Sequence, residues 1–342
     1  MVTMPRPNQA IKKSFVSEII CRVAPLIGAK VLIEPEYGFV GQITFTNGKR
    51  VLFRDRNFNI NPLASSEIAR DKAYADFFLR LYGYRTIESQ TFFSKSRNQR
   101  IRIKRTIDDG FSYAKKLGLP VILKPNNLSQ GTLVTKVYTK KEYFAAARKI
   151  LQRTPVMLVQ EFCEGFDYRI VVLDKEVISA YQRIPLFVVG DGKSTIRKLL
   201  LKKQAVFNRT GRDTEIDVDD FRIAQKLRRQ NFKLTSIPAR GKNLFLLDNA
   251  NLSTGGDAVD VTDEIHADYK RLAVQITRDM GLRMCGVDII TSNDIRNRMR
   301  EYVIIEINSA PGLDNYASIG NEQKGRVDEL YLKVLRALER SK

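Results

Sequence analysis

The chain has one histidine, His266, among 342 residues. That scarcity argues against a His-based triad or a His-rich metal site. Any metal must be held by oxygen ligands, which points to magnesium-type chemistry. Cysteine is nearly as scarce: Cys21, Cys163 and Cys285 are odd in number, widely spaced and set among apolar residues. The pattern predicts reduced thiols in a cytoplasm, not a disulfide framework. No run approaches roughly 18 consecutive apolar residues, so none is expected to span a bilayer. Met1 to Lys13 carries Pro5, Pro7 and polar residues, with no apolar run to serve as a signal peptide. A cytoplasmic protein without membrane association is expected.

What is present is an ordinary globular composition, 43% hydrophobic and 28% charged, with an unusual balance of sign. Lys and Arg total 58 against 38 acids, a formal charge of +20. Such an excess predicts anionic company: nucleic acid, an acidic polymer, a phosphorylated small molecule or an anionic surface. The length suits two or three packed subdomains.

Local patterns point to an α+β chain with several short sheets. Ile11–Val31 is partly helical. Phe39–Phe53 alternates about Asn47-Gly48, a two-residue hairpin signal. Apolar residues Ile68, Ala69, Ala73, Phe77 and Leu81 recur at helical spacing over 65–82, with Gly83 as the stop. Thr91–Arg105 holds six basic residues and no acid, and Arg100–Lys104 alternates like a strand with one charged face. Thr106 caps a helix ending at Gly118. Strands are expected at 120–124, 156–162, 168–173, 176–183, 284–291 and 301–308. Helices are expected at 140–152, 195–203, 218–230 and 263–280, with a closing helix after Val327. His266 reads as a capping or solvent-facing residue at a helix start.

Three clusters carry chemistry. Gly286-Val-Asp288 lies on one strand, and Glu306-Ile-Asn308 on the next. Residues two apart on a strand share a face, so Glu306 and Asn308 project together. With Asp288 opposite them, three hard oxygen donors converge, as magnesium needs beside phosphates. Gly190–Thr195 fails as a phosphate loop, because a Walker motif needs glycine at position 187, where Phe stands. Asn251-Leu-Ser253-Thr254-Gly255-Gly256 offers hydroxyls and glycine amides that could cradle an anion.

The order of these pieces closely resembles the ATP-grasp ligases. Pro120-Val-Ile-Leu-Lys124-Pro, Leu158–Gly165, Asp167-Tyr-Arg169, Asn251–Gly256, Gly286-Val-Asp288 and Glu306–Leu313 follow one another as in that family. Arg183-Ile-Pro, Gly190-Asp-Gly192 and Gly281–Asp288 resemble the branch holding the ATP-grasp regions of cyanophycin synthetase and bifunctional glutathione synthetase. The resemblance covers 65–338 and implies an ATP-grasp fold, two α+β subdomains gripping ATP. Ahead of them stands a small N-terminal α/β unit with the hairpin. The implied divisions are 1–64, a linker part 65–118, a central ATP-binding subdomain 119–184, and a C-terminal subdomain 185–342 with the substrate loops.

The resemblance also implies roles. Lys72 and Lys124 hold nucleotide phosphates, and Gly131 belongs to the flap 126–132 above them. Gln160, Glu161 and Cys163 read adenine, and Asp167 bonds ribose. Asp288, Glu306 and Asn308 hold two magnesium ions, for which manganese can substitute. Arg183, with Arg169 as second choice, is expected to grip the transferring phosphoryl group, because a guanidinium takes such oxygens in two-pronged fashion. Asn251, Ser253, Thr254, Gly255 and Gly256 face substrate. A stand-alone ligase joining a carboxylate to an amine through an acylphosphate follows, with an amino acid or acidic peptide as substrate. A homo-oligomer, dimer or tetramer, is expected. Two alternatives stand beside it: a kinase that stops at phosphorylation, and a nucleic-acid binder using the basic segments 192–212 and 221–247. Those segments interleave no aromatics at a stacking spacing. The surplus charge therefore predicts a polyanionic or multiply carboxylated substrate ahead of nucleic acid.

Overall fold

Ser14 accepts a hydrogen bond from the amide of Ser17 and so caps α1 (Phe15–Val23). The computed structural model describes residues 14–128, 131–210, 212 and 214–341. The start of the expected 11–31 helix and two residues of the flap thus lie outside the described residues. Beyond α1 the chain enters an antiparallel sheet of β1 (Lys30–Ile33), β2 (Val40–Thr44), β3 (Arg50–Arg54) and β4 (Asn57–Phe58). The β2–β3 hairpin forms as the alternation predicts, but its turn is longer. Phe45 and Lys49 close it, with residues 46–48 between them and Gly48 at φ 83°.

The helical pattern over 65–82 is split into α2 (Leu63–Arg70) and α3 (Lys72–Leu81). Asp71 causes the split: its carboxylate accepts from the amides of Ala73 and Tyr74, capping a new helix, and is held by Asn126 Nδ2 at 2.7 Å. Lys72 is thereby placed on the first turn of α3.

The central body follows: β5 (Ser89–Phe93), α4 (Lys95–Arg100), α5 (Ile107–Leu117), β6 (Val121–Pro125), β7 (Thr135–Val137), α6 (Lys140–Arg153) and β8 (Val156–Glu161). Its sheet runs β5-β8-β6-β7, with α5 and α6 packed on it through Ala114, Tyr143, Ile150 and Val159. The strand expected at Arg100–Lys104 is absent. Ser94 caps α4 instead, and Asn98 Nδ2 bonds the carbonyls of Phe93 and Arg105 at 3.1 Å, drawing this stretch into a loop. The central subdomain therefore begins at β5, not at 119, and ends at β8.

Next come β9 (Phe166–Leu173), β10 (Glu176–Ile184), β11 (Phe187–Val189), α7 (Ile196–Arg209), α8 (Phe221–Arg229), β12 (Asn243–Phe245), β13 (Asp257–Asp260), α9 (Ala267–Asp279), β14 (Met284–Thr291), β15 (Tyr302–Asn308), α10 (Asp314–Ala317) and α11 (Asn321–Arg340). An antiparallel sheet β13-β10-β9-β14-β15 forms the second grip, so β9 and β10 belong here and not to the central body. His266 caps α9, accepting from Asp268 N at 3.2 Å, as expected.

One face of that sheet packs Tyr168, Ile170, Val172, Val287 and Ile289 against α9. On the other, Val171, Leu173 and Tyr181 join α1, α11 and the first sheet in a single core with Phe53, Phe58 and Tyr331. The unit before residue 64 is thus a segment of chain without a separate core. A smaller body of α7, α8, β11 and β12 closes around Leu186, Leu200, Ile223 and Leu244. No helix is long and apolar enough to cross a membrane among the described residues.

Candidate active site

The strand register builds the site. Arg183 pairs with Asp167 across β10 and β9, while Arg169 on β9 lies beside Asp288 on β14, and Asp288 beside Glu306 on β15. Because every second residue faces the same way, these charges share the face opposite α9. Asp288 is 0% exposed. Arg169 holds it in two-pronged fashion, Nε to Oδ1 and Nη2 to Oδ2, both at 2.6 Å. Arg183 Nη1 adds a contact of 2.8 Å to Oδ2, and its Nε bonds Asp167 at 2.7 Å. Such forked, charge-assisted pairs are what makes a buried carboxylate tolerable.

Glu306 is held more loosely. Arg169 Nη2 lies 3.8 Å from one oxygen and Lys72 Nζ 3.5 Å from the other. Burial alone would raise its pKa, yet Lys72, Lys124, Arg169 and Arg183 together pull it below the usual carboxylate range. Lys124, 5% exposed on β6, is pushed down to about 8 by burial, against the pull of Glu306. Asp167 is pushed up to about 6 by burial, and Arg183 opposes that rise. Arg169 and Arg183 lose charge stabilisation by burial, but the carboxylates beside them raise their pKa.

Two cavities meet at this row. The first, about 570 Å³, lies between the central and second sheets. Lys72, Lys124, Gly131, Gln160, Glu161, Cys163, Asp167 and Arg183 all line it, so the expected nucleotide-side residues converge on one space. Its walls include Ile122, Ile290, Ile305 and Phe245, which sequence patterns did not single out. Ile305 has a physical explanation. A bulge in β15 sets Asp288 opposite Glu306 but Ile289 opposite Ile304, so the consecutive Ile305 and Glu306 both face the cavity. Lys136 Nζ, also unforeseen, stacks 3.1 Å from the ring centre of Phe162.

The second cavity, about 410 Å³, shares Lys72, Arg183, Asn251 and Glu306 with the first and adds Arg169, Asn308 and Ser253. The loop expected to cradle an anion is only partly here. Asn251 and Ser253 face the cavity, but the amides of Thr254, Gly255 and Gly256 donate to Asn251 and Leu252 carbonyls within the turn. A Cβ on Gly256 would sit 2.6 Å from Ile184 O, so this glycine serves close packing.

Residues 89–207 and 247–327 match the RimK-like ATP-grasp domain, more than half of the chain. The chain belongs to the RimK-like ATP-grasp family. Cyanophycin synthetase of Trichormus variabilis is 37% identical over 202 residues, 57% of this chain and 22% of that protein. The glutathione biosynthesis bifunctional protein of Enterococcus faecalis is 30% identical over 223 residues, 63% of this chain and 30% of that protein. The match thus spans under a third of the length of each of these relatives. Among solved structures, the bifunctional glutathione synthetase of Pasteurella multocida superposes with a TM-score of 0.58 at 23% identity, covering 94% of this chain and 44% of that one. The likeness establishes the ATP-grasp fold.

Within that fold, the stretch 208–246 falls outside the family match. It contains α8, which reaches over to the central body. Arg222 Nη1 donates to the carbonyls of Gly131 at 2.9 Å and Val134 at 3.1 Å. Arg229 pairs with Glu142 and lies over Tyr138, and Lys149 caps the ring of Phe221 at 3.5 Å. A Cβ on Gly131, at φ 66°, would strike Asn249 Nδ2 at 2.7 Å, so glycine is needed where the flap passes beneath.

ATP-grasp relatives imply a magnesium site, and these residues fit one. The donors are hard oxygens, Glu306 is held ionised, and the amide of Asn308 carries a buried Nδ2 with no partner among the described residues. Asp288 differs, because arginines occupy both of its oxygens. Among the described residues, no group of three or more His, Cys, Asp or Glu side chains is arranged to hold a metal ion by itself. Glu306 and Asn308 would hold the ion, with Asp288 on the neighbouring strand beside them.

Proposed function

We propose that the protein is an ATP-dependent carboxylate–amine ligase. A carboxylate, from an amino acid or acidic peptide, attacks the γ-phosphate of ATP to give an acylphosphate and ADP. An amine then displaces phosphate to form an amide. The observation that carries this is the meeting of two cavities at one row of charges: Arg169, Arg183, Lys72 and Glu306. Lys72 and Lys124 would neutralise phosphates from opposite sides, with Gln160, Glu161 and Cys163 meeting adenine and Asp167 ribose. Arg183 and Arg169 would grip the transferring phosphoryl oxygens, work of positioning and electrostatics. Magnesium, held at Glu306 and Asn308 with Asp288, would supply further charge on the phosphates.

The basic segments favour this over nucleic-acid binding. Arg222, Lys226, Arg229, Lys203 and Arg212 are paired inside the protein with Asp220, Asp248, Glu142 and Asp257. A screen of amino acids and acidic peptides for magnesium-dependent ADP release, with product mass, tests the proposal. An amide lacking phosphate is expected. A product that keeps phosphate would indicate a kinase, and no ADP release with any acid–amine pair would overturn the ligase reading.

A further inference from the structure

The second cavity ends, away from the nucleotide side, on residues that the family match does not reach. They sit on the tight turn between β3 and β4: Asp55 and Arg56. Asp55 takes a left-handed backbone, φ 50°, as the first residue of a two-residue hairpin turn commonly does, and Arg56 follows it at the tip. That guanidinium meets Asp55 at 3.5 Å and Asp314 at 3.9 Å, both longer than a normal hydrogen bond. Compared with the 2.6–2.8 Å contacts of Arg169 and Arg183, Arg56 is loosely held and 31% exposed. Room for it is made by Gly312, where a Cβ would lie 2.4 Å from Arg56 Nη1.

Beyond this point the space continues. A further cavity of about 660 Å³ has Asp55, Arg56, Asp314 and Asn315 as its inner wall, the same residues that close the second cavity. Three spaces thus lie in series, and Arg56 stands between the second and the outer one. The other arginines of the outer cavity are engaged: Arg22 with Asp328, and Arg212 with the carbonyls of Leu252 and Gly256. An under-coordinated guanidinium in a polar passage is suited to a planar carboxylate, which can take both of its parallel donors.

We propose that Arg56 is a carboxylate anchor at this gate. Its ligand is an acidic peptide that carries a carboxylate at least one residue from the reacting group and runs on into the outer cavity. Arg56 would then favour a peptide, which carries a further carboxylate, over a single amino acid held at Arg169 and Lys72. The placing of the reacting group rests on the ligase reading.

The experiment uses the full chain with magnesium and ATP, and aspartate and glutamate peptides of one to four residues as probes. ADP release gives KM, and calorimetry gives binding directly. For wild type, the longer peptides should bind at least about tenfold better than single amino acids. Arg56→Gln should raise peptide KM about 10- to 100-fold, the range for a hydrogen bond to a charged group, while KM for ATP and the melting temperature stay put. Arg56→Lys should recover part of the loss. Gly312→Ala, which intrudes on Arg56, should reproduce it. Equal peptide affinity in wild type and Arg56→Gln overturns the inference, as does an equal loss for single amino acids, or no binding of any probe. Arg56-dependent peptide binding without ADP release would remove the ligase reading alone. ADP release indifferent to Arg56 would remove this inference alone.

Discussion

The two cavities that meet at Glu306 are built on different terms. The first cavity is walled mostly by residues inside the family match, with isoleucines and three lysines, Lys72, Lys124 and Lys136, in its lining. The second cavity is polar and takes part of its wall from the N-terminal sheet, through Asp55, Arg56 and Asn57. The difference lies in what comes from before residue 64: Asp55, Arg56 and Asn57 in the second cavity, no described residue in the first.

That contrast is broken hardest at Lys124. Lys124→Met keeps the aliphatic stem and removes the charge. We expect a loss of about 100- to 1,000-fold in kcat/KM for ATP, the range for one preorganised donor, with circular dichroism unchanged. A loss confined to KM for the acid would place Lys124 on the other cavity. Arg169→Met strikes the shared row, leaving buried Asp288 with Arg183 alone. About 3 kcal/mol of stability should go, measured by urea unfolding, since a buried carboxylate loses its forked partner. Unchanged stability would mean Asp288 draws little from that pair.

Proton titration gives a finer division. A lysine is a cation below its pKa, and Lys124 sits at about 8. The kcat/KM for ATP, which reports free-enzyme ionisations, should therefore fall about tenfold per pH unit above that value. A flat profile to pH 9.5 would count against Lys124 as a phosphate ligand. Smallest is Arg222→Ala, which frees the carbonyls of Gly131 and Val134. KM for ATP should rise about three- to tenfold, of order 1 kcal/mol, with KM for the acid unmoved. A reversed pattern would tie α8 to the acceptor side.

The residues that converge on the first cavity could be singled out because they sit in short, local motifs that resemble a known family, as at Lys124, Gln160 and Glu306. On the strands of Asp288 and Glu306, alternation also shows which side chains share a face. Ile305 escaped because a bulge cancels that alternation at one residue, and nothing local marks it. Arg56 escaped because its partners Gly312 and Asp314 are far along the chain, and only the fold brings them together. Arg100–Lys104 misled because alternation of charge does not show where the backbone hydrogen bonds go, and Asn98 draws them into a loop. The N-terminal segment looked separate because composition cannot reveal that α11 returns to share its core.

β9 spends its odd-numbered residues twice. Asp167 and Arg169 face the chamber where the two cavities meet, and Val171 and Leu173 on the same side enter the core beneath the first sheet, while Tyr168, Ile170 and Val172 back onto α9. Removing or adding one residue would turn every one of these side chains to the opposite face, setting an arginine in oil and a tyrosine in the chamber. Length changes in descendants of this gene should therefore accumulate at the Asp174-Lys175 turn and in 208–246, and leave the strand uncut.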